Sequence, residues 1–417
     1  MNPATANNRF GAFRHRSYTL LFFARFMAAF AIQIISVAVG WQMYDVTRST
    51  LYLGVIGLVQ FLPSLLLILV TGSVVDRHNR RAIVSICLAI SALCAAALLL
   101  ITVTGTFSPL PVFVILTIFG IERAFMNPAV SSLSPNLVPP EDLPNSFAWN
   151  SSSWQTASIL GPVAGGLLYG ISPVVAYAVA LVFMMAGAVL VFMIPKPAQR
   201  TSREPTDWSY IVAGFGFISR QKIVLGAISL DLFAVLLGGA TALMPVYASD
   251  ILVLGPLGLG LLRAAPGLGA IATALYLAAF PIRHQSGIKM FAGVALFGLA
   301  TVVFGLSHSP WLSIPALALM GAGDMISVYI RETLMALWTP DEVRGRVNAV
   351  NSVFIGASNE LGEFRAGTMA SIFGAVPAVV IGGIGTIVVS LAWSVMFPQL
   401  RKIDTLEAPG DKEIAAA

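Results

Sequence analysis

The chain has 417 residues, 57% of them apolar and only 10% charged, with a formal net charge of +5. Soluble domains carry about a quarter charged residues, so a water-soluble fold is excluded and a membrane protein is expected. The surplus cations sit in short loops, where they mark topology and give no reason to expect nucleic acid.

Twelve apolar stretches are long enough to cross a bilayer core of about 30 Å as helices. They lie near 17–44, 51–73, 82–104, 111–133, 146–170, 174–194, 221–247, 256–280, 287–307, 311–337, 350–373 and 377–397. The first follows Arg9, Arg14 and Arg16, but its apolar run is too long for a signal peptide and lacks a small-residue cleavage site. It is expected to stay as the first span. With the N-terminus inside, Arg48 is the sole cation in the outer loops; Arg25, Arg123, Arg263, Arg331 and Arg365 fall within spans. All the others are in cytoplasmic segments or, for Lys222 and Lys289, at the inner ends of their spans, which places both termini in the cytoplasm. Cys87 and Cys94 are a heptad apart on one helix, about 10 Å along its axis, too far to bridge.

Between the second and third spans lies a short charged loop, Gly72-Ser73-Val74-Val75-Asp76-Arg77-His78-Asn79-Arg80-Arg81. A carboxylate in so short a loop can rest on the positive N-terminal end of another helix, worth roughly 0.3 to 1 kcal/mol. Gly72, Asp76, Arg77, Arg80 and Arg81 therefore make a candidate cytoplasmic gate, together with Arg331 and Glu332 near the inner end of span ten. The spacing G-x-x-x-D-R-x-x-R-R resembles the loop signature between helices two and three of the major facilitator superfamily. That resemblance implies an all-α membrane protein of twelve transmembrane helices in two pseudo-symmetric six-helix bundles, working as a secondary transporter.

An internal repeat agrees. Pro140-Glu141-Asp142-Leu143 followed by Ala148-Trp149-Asn150-Ser151 recurs as Pro340-Asp341-Glu342-Val343 followed by Ala349-Val350-Asn351-Ser352. Each copy precedes the fifth span of its half, as in parallel halves related by an axis along the membrane normal. The expected divisions are an N-terminal bundle over 1–194, a cytoplasmic linker over 195–220, a C-terminal bundle over 221–400 and a cytoplasmic tail over 401–417. Trp208, Ile211, Phe215 and Ile218 recur at helical spacing, which predicts an interfacial helix in the linker.

On the fifth span, Gly161-Pro162-Val163-Ala164-Gly165-Gly166 combines a break in the helical ladder with loss of side-chain bulk. Gly161, Pro162, Gly165 and Gly166 resemble the fifth-helix motif of drug and proton antiporters, although Ala157 replaces a glycine often found there. Two further runs, 40–63 around Gly40-Trp41-Gln42 and 347–364 around Glu360-Leu361-Gly362-Glu363, look like the branch that includes enterobactin exporters and macrolide-efflux proteins.

Ionisable residues within spans cost about 2.5 to 3.5 kcal/mol at mid-helix unless sheltered, so they mark function. Glu360 and Glu363 are three residues apart and share a helix face near the midplane; Asp324 is similarly deep on span ten. Two nearby acids raise each other's proton affinity, so this trio is the candidate proton-coupling cluster, with packing as the competing role. Glu122 and Arg123 on span four are a weaker candidate, being about 100° apart around the helix. Asp231 and Arg263 form a possible charge pair on spans seven and eight. No phosphate-binding loop and no metal-ligand spacing is present, so neither an enzyme nor a metal site is expected.

The expected function is proton-coupled export of a small amphipathic or lipophilic molecule, drug or siderophore-like, across the bacterial inner membrane by alternating access. Protons are the coupling ion, no cofactor is needed, and the protein works as a monomer in the bilayer. An uptake symporter, a lipid flippase or a non-transporting membrane sensor are the alternatives.

Overall fold

The computed structural model describes residues 10–196 and 208–407. Helix is the regular secondary structure found among them, as lipid demands, because a helix satisfies its backbone donors and acceptors within one segment. In chain order the helices are α1 (Arg16–Thr47), α2 (Thr50–Leu66), α3 (Ile68–Arg77), α4 (Arg80–Val103), α5 (Pro109–Leu133), α6 (Leu143–Ile171), α7 (Pro173–Phe192) and α8 (Trp208–Arg220). Then follow α9 (Lys222–Gly238), α10 (Met244–Val246), α11 (Gly255–Ala279), α12 (Ser286–Leu306), α13 (Pro310–Trp338), α14 (Asp341–Phe373), α15 (Ala375–Met396) and α16 (Pro398–Arg401).

Among the described residues nine helical segments are long and apolar enough to cross a membrane, and the bent pair α2 and α3 makes a tenth. The two remaining passages, α6 and α14, have 29 and 33 residues. At 1.5 Å per residue they extend about 44 and 50 Å, ample for a bilayer, but they are more polar than the others. They are the two fifth helices of the internal repeat. The predicted start of span eleven near 350 moves to Asp341, because Pro340 ends the preceding turn and α14 begins immediately after it.

Two passages predicted as continuous are broken. Pro63 removes a donor inside α2, and the chain bends by 60° into α3. The pair Gly238-Gly239 ends α9; a 3-10 turn over Thr241–Leu243, α10 and a π-helical turn over Tyr247–Ile251 complete that passage.

The chain divides into two compact units, Met1–Gln42 with Leu62–Thr206, and Met43–Phe61 with Asp207–Ala417. In the first, Tyr18, Leu21 and Ala24 of α1 pack with Val84 and Leu88 of α4, Ala129 and Leu133 of α5 and Val191 of α7. In the second, Leu230 and Ala234 of α9, Met290 and Phe291 of α12, Ile330 and Leu334 of α13 and Val389 of α15 share a core. Facing glycines bring α12 and α13 together: a Cβ at Gly323 would lie 2.6 Å from the Gly293 carbonyl oxygen. Residues 43–61 group with the second unit because Gly54 and Gly57 lie directly against α14.

Trp208–Arg220 forms the helix α8. Ile218 is buried with Val224, Ile228, Met335, Val347 and Val350, while Phe215 meets the Phe354 ring edge-on. Arg200, Arg203, Glu204 and Asp207, the side chains of Trp208 and Ile211, and the tail beyond 407 lie outside the described residues.

Candidate functional site

The charged loop acts on helix ends of its own unit. Asn79 caps α4, its side-chain oxygen accepting from the Arg81 and Ala82 amides at 3.1 and 3.4 Å. Arg80 donates to the Ser132 carbonyl at the end of α5 at 3.2 Å and stands 3.9 Å from Asp76. Arg81 donates to the Phe192 carbonyl at the end of α7 and stacks over the Phe192 ring at 5.3 Å. Both cations thus meet carbonyls at helix C-termini, where the dipole favours them. Arg77 faces outward and Gly72 is half-buried within α3.

The fifth-helix motif presses α6 onto α1. A Cβ at Gly161 would fall 2.6 Å from Gln33 Cβ, and one at Gly165 3.0 Å from Ile34 Cα. Pro162 and Gly166 are buried in the same stretch. Glu122 is buried at 5% exposure and hydrogen-bonded by Ser91 of α4, with the Cys87 thiol 3.8 Å from its backbone carbonyl. Arg123 is exposed on another side of α5, as the 100° offset requires. Cys87 and Cys94 are free and buried.

In the second unit the expected pairing of Asp231 with Arg263 is replaced. Asp231 of α9 forms a direct ion pair with Arg331 of α13, and both side chains are under 10% exposed. Depth explains the choice. Asp231 lies nine residues from the start of α9 and Arg331 seven from the end of α13, about 13 and 10 Å from the same end of the unit. Arg263 lies only eight residues, about 12 Å, from the opposite end of α11. Arg331 is therefore drawn into a buried ion pair and away from the gate where the sequence placed it, whereas Glu332 is 51% exposed and accepts from Asn351 at 3.4 Å.

Asp324, two turns before Arg331 on the same face of α13, feels the charges of Asp231 and Arg331. It belongs to their group, and the predicted trio with Glu360 and Glu363 resolves into two sets of charge. Glu363 is within electrostatic reach of Arg263 on α11. Both glutamates point at α2: a Cβ at Gly57 would lie 3.0 Å from Glu360 Oε2 and 3.1 Å from Glu363 Oε2. Two half-buried carboxylates on one helix face thus stand against the α2 backbone, with Arg263 within electrostatic reach of Glu363.

Arg365 takes a role the sequence did not reveal. Where α9 breaks, its last carbonyls lose their helical partners. Arg365 Nη2 donates to the Leu237 carbonyl at 2.5 Å, and Thr386 Oγ1 donates to the Ala234 carbonyl at 2.9 Å. Trp149 and Phe22 cluster with Phe10 and Phe13, and Phe233 packs on Trp393. Among the described residues no group of His, Cys, Asp and Glu is arranged to hold a metal.

Residues 7–414 match the family described as transmembrane secretion effector. The chain belongs to that family, within the major facilitator superfamily of transporters, and is a multi-pass membrane protein, not an enzyme. It is 24% identical to an enterobactin exporter, EntS, of Citrobacter koseri and 23% identical to EntS of Shigella boydii, over 93% of each chain. Its fold is similar to the crystal structure of a bacterial homologue of the lysosomal transporter Spinster, with a TM-score of 0.71, 14% identity and coverage of 93% of this chain and 96% of that one. A bacterial homologue of the iron transporter ferroportin gives 0.70 at 15% identity, covering 93% and 99%.

Proposed function

We propose that this transporter is a proton-coupled exporter of a small amphipathic or lipophilic molecule, and that Glu360 and Glu363 carry the coupling protons. The observation behind this reading is the pair itself: two carboxylates ten and thirteen residues from the end of a 33-residue helix, about 15 and 20 Å deep, with Arg263 within electrostatic reach of Glu363. An acid held so deep stays when its protonation is useful. The likeness to enterobactin exporters favours outward transport and a catecholate or drug-like cargo. Cargo enters from the cytoplasmic side, the two repeats alternate access to a midplane site, and protons arriving from outside reset the acids. One proton crossing 100 mV yields about 2.3 kcal/mol, enough for roughly fiftyfold accumulation.

The bacterial inner membrane, cytoplasmic termini, a monomeric state and independence from any cofactor complete the proposal. Arg80 and Arg81, by holding α5 and α7, would stabilise the cytoplasmic end of the first unit during each cycle. Asp231 and Arg331 would fix α9 to α13, with Asp324 and Glu122 as secondary acids.

The test is reconstitution in vesicles with an imposed pH gradient and a panel of labelled cargoes including a catecholate siderophore. Cargo movement against its gradient, with protons flowing the other way, is the expected result. Cargo and protons moving together would replace export by symport, lipid scrambling alone would support a flippase, and no coupled flux from any cargo would overturn the reading.

A further inference from the structure

The last described stretch of the chain folds back on the start of α12. Beyond α16, the Ile403 carbonyl accepts from the Gly287 amide at 2.9 Å, and the Asp404 carbonyl accepts from the Ser286 amide and hydroxyl at 3.0 and 2.9 Å. The Asp404 carboxylate is engaged as well: one oxygen accepts from the Gln285 amide at 2.8 Å and the other meets His284 Nδ1 at 3.0 Å. Gln285 offers α12 no side-chain cap of its own and stands in the left-handed region with φ of 58°. The tail therefore does for α12 what Asn79 does for α4, supplying acceptors to the first amides. A Cβ at Gly287 would collide with the Leu400 and Arg401 carbonyl oxygens, so the two backbones touch.

This strap collects charge. Arg283 and Lys289 flank the start of α12, and Arg401 and Lys402 close α16. The fold-back brings the two segments together although His284 and Asp404 are 120 residues apart. All four cationic side chains are exposed, and among the described residues none of them makes an ion pair. Lys289 is within electrostatic reach of Asp404, whose two oxygens are already occupied, and the next acid along the tail, Glu407, is exposed. Other cations at helix ends are used within the protein: Arg80 and Arg81 on carbonyls of α5 and α7, Arg344 on Asp341 at 2.6 Å.

The surface beside the cluster is apolar. Tyr276 and Phe280 at the end of α11 are exposed with their rings 5.2 Å apart, Ile288 is exposed on the first turn of α12, and Met396 is exposed at the end of α15. In a membrane-spanning unit such side chains face lipid, and aromatic rings at a helix end mark the depth of the headgroups. The four cations stand at that depth.

We propose that the strap is a binding site for the phosphodiester headgroup of an anionic phospholipid. A phosphodiester carries one negative charge and two unesterified oxygens, which suit the guanidinium forks of Arg283 and Arg401, with Lys289 and Lys402 as point charges. Because the tail already occupies the α12 amides, recognition falls to these side chains and not to the helix dipole. Mutual repulsion of four cations works against the fold-back, so a lipid that neutralises them fastens the tail to α12. The site is separate from the coupling acids and does not depend on which of them carries protons.

The full-length protein in a neutral detergent is titrated with a fluorescent phosphatidylglycerol and, as reference, with a phosphatidylcholine of the same chains. Wild type should bind the anionic lipid more tightly, and binding should slow hydrogen exchange at the Ser286 and Gly287 amides. Arg401→Gln with Lys402→Gln should weaken phosphatidylglycerol binding about twenty-five-fold, at about fivefold for each cation near an anionic surface, and leave phosphatidylcholine binding unchanged. Arg283→Gln with Lys289→Gln, which alters no strap residue, should lose as much. Arg16→Gln with Lys196→Gln, exposed cations of the first unit, is the control and should leave the affinity unchanged. Equal affinity of wild type for the two lipids, or an equal loss in the control, would overturn the site. Displacement of the bound lipid by millimolar inorganic phosphate would overturn the lipid assignment and make the cluster a small-anion site.

Discussion

Two sets of buried charge in the second unit are built on different principles. Asp231 and Arg331 are locked in a direct ion pair with almost no exposure, with Asp324 two turns away along α13. Glu360 and Glu363 face the glycine backbone of α2, with Arg263 within electrostatic reach of Glu363. A locked pair fixes two helices and resists change of protonation, because losing either charge strands the other in a low dielectric. The coupling role proposed for Glu360 and Glu363 requires the opposite, carboxyls that gain and lose a proton without unfastening two helices.

The contrast is broken most directly at the locked pair. Replacing Arg331 by Leu leaves Asp231 uncompensated and is expected to remove about 3 to 5 kcal/mol, read as a large fall in melting temperature in detergent. The double variant Asp231→Leu with Arg331→Leu should recover much of the loss, whereas Glu360→Gln with Glu363→Gln should leave the melting temperature within a few degrees of wild type. Equal destabilisation by both sets would erase the distinction.

Next in size is Arg365. Replacing it by Ala strands the Leu237 carbonyl at the break in α9 and should cost about 1 to 3 kcal/mol, with faster hydrogen exchange at residues around Gly239. An unchanged break would show that Gly238 and Gly239 hold it unaided. Smaller still is the contact between the loop before α12 and the chain after α16. His284 and the Gln285 amide hold the exposed Asp404 carboxyl below its ordinary value, the hydrogen bond from His284 at 3.0 Å contributing most. A lowered value means that this contact is at full strength above about pH 3.9 and weakens as pH falls through the folded value. Protection of the Gln285 amide should therefore persist at neutral pH and decline in acid; protection that rises in acid would reverse the assignment.

Much of the architecture was readable because lipid imposes a strong rule: long apolar runs become helices, and Pro, Gly and charged loops punctuate them. From sequence the loop at 72–81 reads as an acid resting on a helix N-terminus, but it is Arg80 and Arg81 that meet helix ends, through carbonyls of α5 and α7; the lost bulk at Gly161 and Gly165 was legible, their neighbour α1 was not. The partners of charges were harder to read. Asp231 and Arg331 sit on spans three apart in sequence order, and nothing local says that α9 and α13 touch. The partner of Arg365 was not legible, because the α9 break it serves is visible only once Gly239 leaves the helical region. Gly54 and Gly57 carried a signal, three residues apart on one face like Glu360 and Glu363, but its meaning depends on a neighbour more than 300 residues away in sequence.

The most direct test of the coupling role compares two fluxes in the same vesicles: exchange of labelled for unlabelled cargo, which needs no net proton movement, and accumulation driven by a pH gradient. Wild type should perform both, and Glu360→Gln with Glu363→Gln should retain exchange while losing accumulation and its counter-flow of protons. Accumulation at the wild-type rate in that variant would contradict the assignment of the coupling protons to these two carboxylates.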